Sequence, residues 1–107
     1  MEFSDSPIDI SSRDYWFKVV DFLQQNWALI DPLPGGCKVF FFGDTSGVFD
    51  ELSFPSVVEA EAALRRNGFR RFSEDKDAQG FIAVPRPPFH EDPHPNGPIY
   101  SSGKFWH

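Results

Sequence analysis

KVFFFGDTSGVFDELSF, Lys38 to Phe54, is the stretch on which the fold turns. It reads as a β-hairpin: a strand, a Gly-Asp-Thr-Ser-Gly turn and a second strand. Gly43, Asp44, Ser46 and Gly47 tolerate positive φ and can close a loop of this length. In the first strand Val39 and Phe41 share one face and Phe40 and Phe42 the other. Both faces are therefore apolar, which is the pattern of a strand covered on both sides. In the second strand Val48, Leu52 and Phe54 point to the apolar side. Asp50 breaks that alternation, and the break signals a β-bulge or a shifted register.

Upstream, Arg13 to Trp27 fits helical spacing, with Trp16, Val19, Val20, Leu23 and Trp27 on one face and Tyr15 and Phe22 widening the stripe. Ser11 or Ser12 would cap it and Asp14 would sit in its first turn. Asp31-Pro32-Leu33-Pro34-Gly35-Gly36 then turns the chain. Downstream, Ser56 and Glu59 form a capping box for a helix from Val57 to Arg66, and Asn67-Gly68 ends it. Phe69–Ser73 and Gly80–Val84 read as a third and a fourth strand, with Glu74–Gln79 a solvated turn between them. The expected fold is an α+β two-layer sandwich of order αββαββ. Its sheet is antiparallel and both helices lie on one face.

Residues 1–10 read as a flexible N-terminus, 11–84 as a single domain, and 85–107 as an extended Pro-rich tail. The tail holds six of the ten prolines and can turn a short terminal hairpin around Ser102-Gly103. Tyr100, Phe105 and Trp106 do not suit a free end. They are expected to dock, either on the uncovered face of the sheet or on another molecule.

Composition narrows function more than any motif does. The formal net charge of −6 argues against generic binding to nucleic acid or to an anionic membrane surface. No apolar run reaches the roughly 20 residues of a membrane-spanning helix. A lone cysteine, Cys37, permits no intrachain disulfide and suits the reducing cytoplasm. It is expected to be a small buried residue, because all three histidines lie in the last 18 residues.

Three clusters bear on chemistry. Asp44-Thr45-Ser46-Gly47 differs from the Asp-Thr-Gly loop of aspartic proteases by one inserted residue and is read as a turn. His90-Glu91-Asp92-Pro93-His94 gathers two imidazoles and two carboxylates, but its prolines forbid the helix that an i, i+4 histidine pair needs. Arg65 and Arg66 sit at a helix C-terminus, Arg70 and Arg71 alternate across a strand, and nearby acids oppose all four, which suits structural ion pairs. No catalytic residue, metal site or cofactor motif stands out.

The leading expectation is a non-enzymatic binding protein. In size and charge the chain resembles the small acidic α+β proteins of the immunity type, which implies inhibition of a basic partner such as a toxin or effector. The expected contacts are Asp44, Asp50 and Glu51 around the hairpin, Glu74, Asp75 and Asp77, and the terminal Tyr100, Phe105 and Trp106. The alternatives are a self-associating structural module, with a monomer or homodimer as the open question, and a small metal-dependent enzyme using His90 and His94.

Overall fold

The computed structural model describes residues 7–21 and 24–91. Its strands are β1 (Pro7–Ile8), β2 (Trp16–Asp21), β3 (Gln24–Leu33), β4 (Gly36–Phe42), β5 (Gly47–Phe54), β6 (Arg70–Arg71) and β7 (Phe89–Glu91). The helices are α1 (Val57–Arg66) and the short α2 (Lys76–Phe81), the latter preceded by a 3₁₀ turn at Phe72–Glu74. The strands form one seven-stranded sheet in the order β1-β7-β5-β4-β3-β2-β6. Neighbours are antiparallel except β5 and β7, which run parallel, so the sheet is mixed.

The expected αββαββ order with two helices on one face is therefore wrong, and the main error lies at Arg13–Trp27. That segment is not a helix but β2 and the start of β3, paired with Trp16 opposite Ala28 and Phe17 opposite Trp27. The apolar residues repeat every two positions on both faces. Trp16, Ala28 and Ile30 join one core, while Phe17, Trp27 and Leu29 join the other. A strand apolar on both faces offers hydrophobic residues at helical intervals too, so periodicity alone cannot separate the two. The enrichment in aromatic and β-branched residues favoured the strand. Val19, placed on the buried stripe of the supposed helix, is 61% exposed.

The second half departs from expectation in the same direction. Phe69–Ser73 contributes only the two-residue β6 before the 3₁₀ turn. Glu74–Gln79 is not a solvated turn: Asp75 accepts a hydrogen bond from the Ala78 N–H at 3.0 Å and caps α2. Gly80–Val84 is not a strand, since α2 runs through Phe81 and the chain then passes irregularly to β7. The tail hairpin and its aromatics lie outside the described residues.

The local signals around α1 are met. Ser56 Oγ accepts from the Glu59 N–H at 3.2 Å, half of the capping box. At the other end the Phe69 N–H bonds to the Leu64 carbonyl, the Gly68 N–H bonds to that of Arg65, and Gly68 has φ +88°. This is a Schellman cap, and it folds Phe69 back into the core beneath the helix.

The sheet is buried on both sides of β4. Cys37, Val39 and Phe41 pack with Ala60, Ala63 and Leu64 of α1. Phe40 and Phe42 pack on the other face with Tyr15, Trp27 and Phe89, against which Phe72, Ala78, Ile82 and Val84 also lie. The cover of the second face is thus the Phe72–Phe89 segment together with Tyr15. Tyr15 donates its hydroxyl to the Pro85 carbonyl at 2.7 Å and ties this layer down. Burial pushes the Tyr15 phenol pKa up, against the lowering effect of Arg13 and Arg86.

The β3–β4 turn has Pro34 followed by Gly35 at φ +82°, the residue order of a type II turn. Gly36 then lies close to the β5 backbone, where an added Cβ would stand 2.5 Å from the Phe54 carbonyl oxygen. Because that neighbour is backbone, it cannot move aside cheaply. Gly36→Ala should therefore destabilise the protein by roughly 1–3 kcal/mol. Urea unfolding would show this as a lowered midpoint, and an unchanged midpoint would mean that the β4–β5 approach is looser than described.

Candidate acidic cleft beside β5

The acids expected to meet a partner fall into two groups. The first is engaged within the domain. Asp44 Oδ1 accepts from the Trp27 indole N–H at 2.8 Å, which pins the hairpin loop to β3. That loop is otherwise closed by Gly43 N–H to Gly47 O and Ser46 N–H to Gly43 O, with Ser46 at φ +68°. The Asp-Thr-Ser-Gly stretch is thus a turn, and Ser46 donates its hydroxyl to the Arg86 carbonyl. Asp75 caps α2 and pairs with Arg70 at 3.5 Å. Glu74 pairs with Arg65 and Arg71.

Arg71 is the centre of this charged group. It contacts Asp14, Glu61 and Glu74, and its Nε lies 3.1 Å from Asp14 without the alignment of a hydrogen bond. Desolvation pushes its guanidinium pKa down, but the three carboxylates outweigh this and hold it above its ordinary value. Arg71 and Arg65 both lie over the buried Trp16 ring, 4.7 and 4.9 Å from its centroid. The basic cluster therefore joins the β6 edge, α1 and the first core. Beside it a cleft of about 430 Å³ is lined by Ser11, Ser12, Asp14, Trp16, Ile30, Pro32, Val57 and Glu61. Its two acids are those already held by Arg71.

The second group lies elsewhere. Asp50 and Glu51 line a cleft of about 370 Å³ with Ile8, Val48, Phe49 and Glu91. Three strands build it. In the β4–β5 register Phe41 faces Asp50 and Phe42 faces Val48, so Phe49 is the extra residue of a bulge. The bulge sends both Phe49 and Asp50 to the α1 side, where Phe49 packs against the first core. This accounts for the broken alternation at Asp50. β7 places Glu91 opposite Val48, and β1 supplies Ile8.

Here the polar groups are poorly compensated. Burial pushes the Asp50 carboxyl pKa up, and the adjacent Glu51 charge adds to this, while the Glu51 N–H donates to Asp50 Oδ1 at 2.8 Å and partly offsets both. Glu51 has Lys38 at 3.0 Å across the strand pair, an exposed bridge of little energetic weight. Glu91 is exposed. Sequence reasoning missed Glu91, Ile8 and Phe49 as neighbours of this site, because their meeting depends on the parallel β5–β7 pairing. Asp77 is exposed on α2 and lies outside the cleft, and Tyr100, Phe105 and Trp106 lie outside the described residues.

Other chemistry has less to build on. The described residues contain no group of three or more His, Cys, Asp or Glu side chains placed to hold a metal ion. His90 is in β7, and His94 is outside the described residues. Cys37 is buried with its sulfur 3.4 Å from the Ser56 carbonyl, and desolvation pushes its thiol pKa up, away from the reactive thiolate. Among the described residues no helix is long and apolar enough to cross a membrane. Comparison with known protein-family models, with curated proteins and with solved structures gave no match in any of the three.

The Asp50 environment gives a signed pH effect. A carboxyl whose folded pKa is raised binds its proton more tightly in the folded state. Its stabilising contribution is full below the unfolded pKa and is lost as pH rises through the folded pKa. Asp50→Asn keeps an oxygen for the Glu51 N–H and removes the charge. It should melt above the parent at neutral pH, with the difference vanishing in acid. Equal melting temperatures at neutral pH would show that the ionised carboxylate carries no penalty there.

Proposed function

We infer that this chain is a non-enzymatic binding protein of the immunity or inhibitory type, which takes a basic protein partner at the acidic cleft. The observation that supports this is that Asp50, from the α1 side of the sheet, and Glu51 and Glu91, from the other side, line one cleft at the edge of β5 with half-buried Phe49 and Ile8. Carboxylates on both sides of a sheet edge, with apolar residues beside them, suit a lysine- or arginine-bearing surface, with the charge steering encounter and the aromatic supplying contact area. Asp50 strengthens the case: it occupies a desolvated position where a neutral amide would cost less. The overall charge of −6 would draw in the same class of partner.

The test uses the immobilised chain and a lysate of its host, followed by the purified captured protein. A basic protein should be retained at low salt and released as salt rises. Its association rate with the Asp50→Asn, Glu51→Gln, Glu91→Gln triple variant should fall by roughly tenfold or more at low salt. Association insensitive to both salt and these substitutions would overturn the assignment.

A further inference from the structure

The Asn67-Gly68 pair that ends α1 carries a covalent reaction of its own. In an asparagine followed by glycine, the glycine backbone nitrogen can attack the asparagine side-chain carbonyl carbon. Glycine has no side chain to hinder that approach and moves freely through the φ and ψ values it needs. The new C–N bond closes a succinimide ring. The bond to the side-chain NH₂ breaks, and that nitrogen leaves as ammonia with the proton of the glycine N–H. Water then opens the ring at either of its carbonyls, which gives aspartate or isoaspartate. Water is the only co-reactant.

The native cap opposes each part of this reaction. The nucleophile is engaged, because the Gly68 N–H donates to the Arg65 carbonyl at 3.1 Å. The target is drawn away from it, because Asn67 Nδ2 donates back along the helix to the Ala63 carbonyl at 2.8 Å. Asn67 is only 8% exposed. Its backbone sits at φ −98° and ψ 13°, held by its own N–H, which bonds to the Ala63 and Leu64 carbonyls. One residue on, the Phe69 N–H bonds to the Leu64 carbonyl at 2.9 Å and the Phe69 ring is buried in the first core. Lys18 lies across Gly68, with its Cε 3.4 Å from where a Cβ would stand.

We propose that Asn67-Gly68 is a latent deamidation site, which the cap of α1 holds closed, and that reaction during an opening of this helix end blocks its re-closure. Aspartate at position 67 has no N–H for the Ala63 carbonyl. It also sets a negative charge at a helix C-terminus, where the dipole disfavours it. Isoaspartate adds a methylene to the main chain ahead of Gly68, which shifts the Gly68 and Phe69 amides off the carbonyls they bond. An opening that is reversible before the reaction is permanent after it. Asn67 does not line the acidic cleft, so this chemistry and the partner assignment hold or fail separately.

The test incubates the full chain at mildly alkaline pH, in native buffer and in urea, and follows aspartate and isoaspartate at Asn67 by peptide mapping. Mapping separates Asn67 from the Asn96-Gly97 pair, which lies outside the described residues. In urea Asn67 should convert as fast as a short peptide of the same sequence. In native buffer it should convert at least about 100-fold more slowly, because only the open fraction reacts. Ser56→Ala removes the N-cap at the far end of α1 and leaves the reacting groups untouched. It should speed native conversion about fivefold. Asn67→Asp should melt below the parent. Native conversion as fast as that in urea, no conversion in urea, or equal native rates in the parent and Ser56→Ala would overturn the closed cap. An Asn67→Asp melting temperature equal to the parent's would overturn the block on re-closure.

Discussion

Burial of β4 on both faces is the constraint from which the rest of the molecule follows. Val39, Phe41 and Phe42 are wholly buried, and Phe40 nearly so. Four consecutive apolar residues in a strand require two covering layers, since adjacent side chains point to opposite faces. One layer is α1, whose Ala60 and Ala63 let it approach closely. The other is assembled from less regular pieces: Tyr15, the Phe72 turn, α2, and the chain through Pro85 to Phe89. Flanking strands must also be apolar on both sides, which is why β2 and β3 carry Trp16, Phe17, Trp27 and Leu29. Edge-to-face and tilted ring contacts such as Phe42–Phe89, at 4.9 Å between centroids, run through this second core.

What could be read from sequence divides along the range of the interaction. The β4–β5 hairpin and its turn, the Ser56 cap and the Asn67-Gly68 stop depend on residues a few positions apart, and all three are present in the fold. The need for a cover over the second face of β4 was also legible in Val39–Phe42. Its identity was not, because the covering residues have no regular period of their own. The Arg13–Trp27 segment misled because two-sided strands and broad amphipathic helices share hydrophobic spacing. α2 was hidden because its cap, Asp75, sits inside a run of acids that reads equally well as a solvated turn.

The candidate site shows the same division. Asp50 was conspicuous in sequence as a charge on an apolar face, and the bulge at Phe49 explains it. Glu91 carried no comparable mark. It reaches the site only because β7 returns to pair in parallel with β5, a contact between residues far apart in the chain. Asp44, Glu74 and Asp75, also expected to meet a partner, make contacts within the domain, with Trp27, with Arg65 and Arg71, and at the α2 cap. Among the described residues the acids thus differ by their surroundings: some lie beside arginines or an indole, and Asp50, Glu51 and Glu91 lie at the edge of β5.

Two-sided burial of β4 is tested most directly by paired truncations, Phe41→Ala and Phe42→Ala, measured by equilibrium urea unfolding. The two rings belong to different cores, so each substitution should lower stability by about 3–5 kcal/mol, the usual cost of emptying a buried phenylalanine site. If either variant stays within about 0.5 kcal/mol of the parent, as an exposed position would, one face of the strand is open and the account fails.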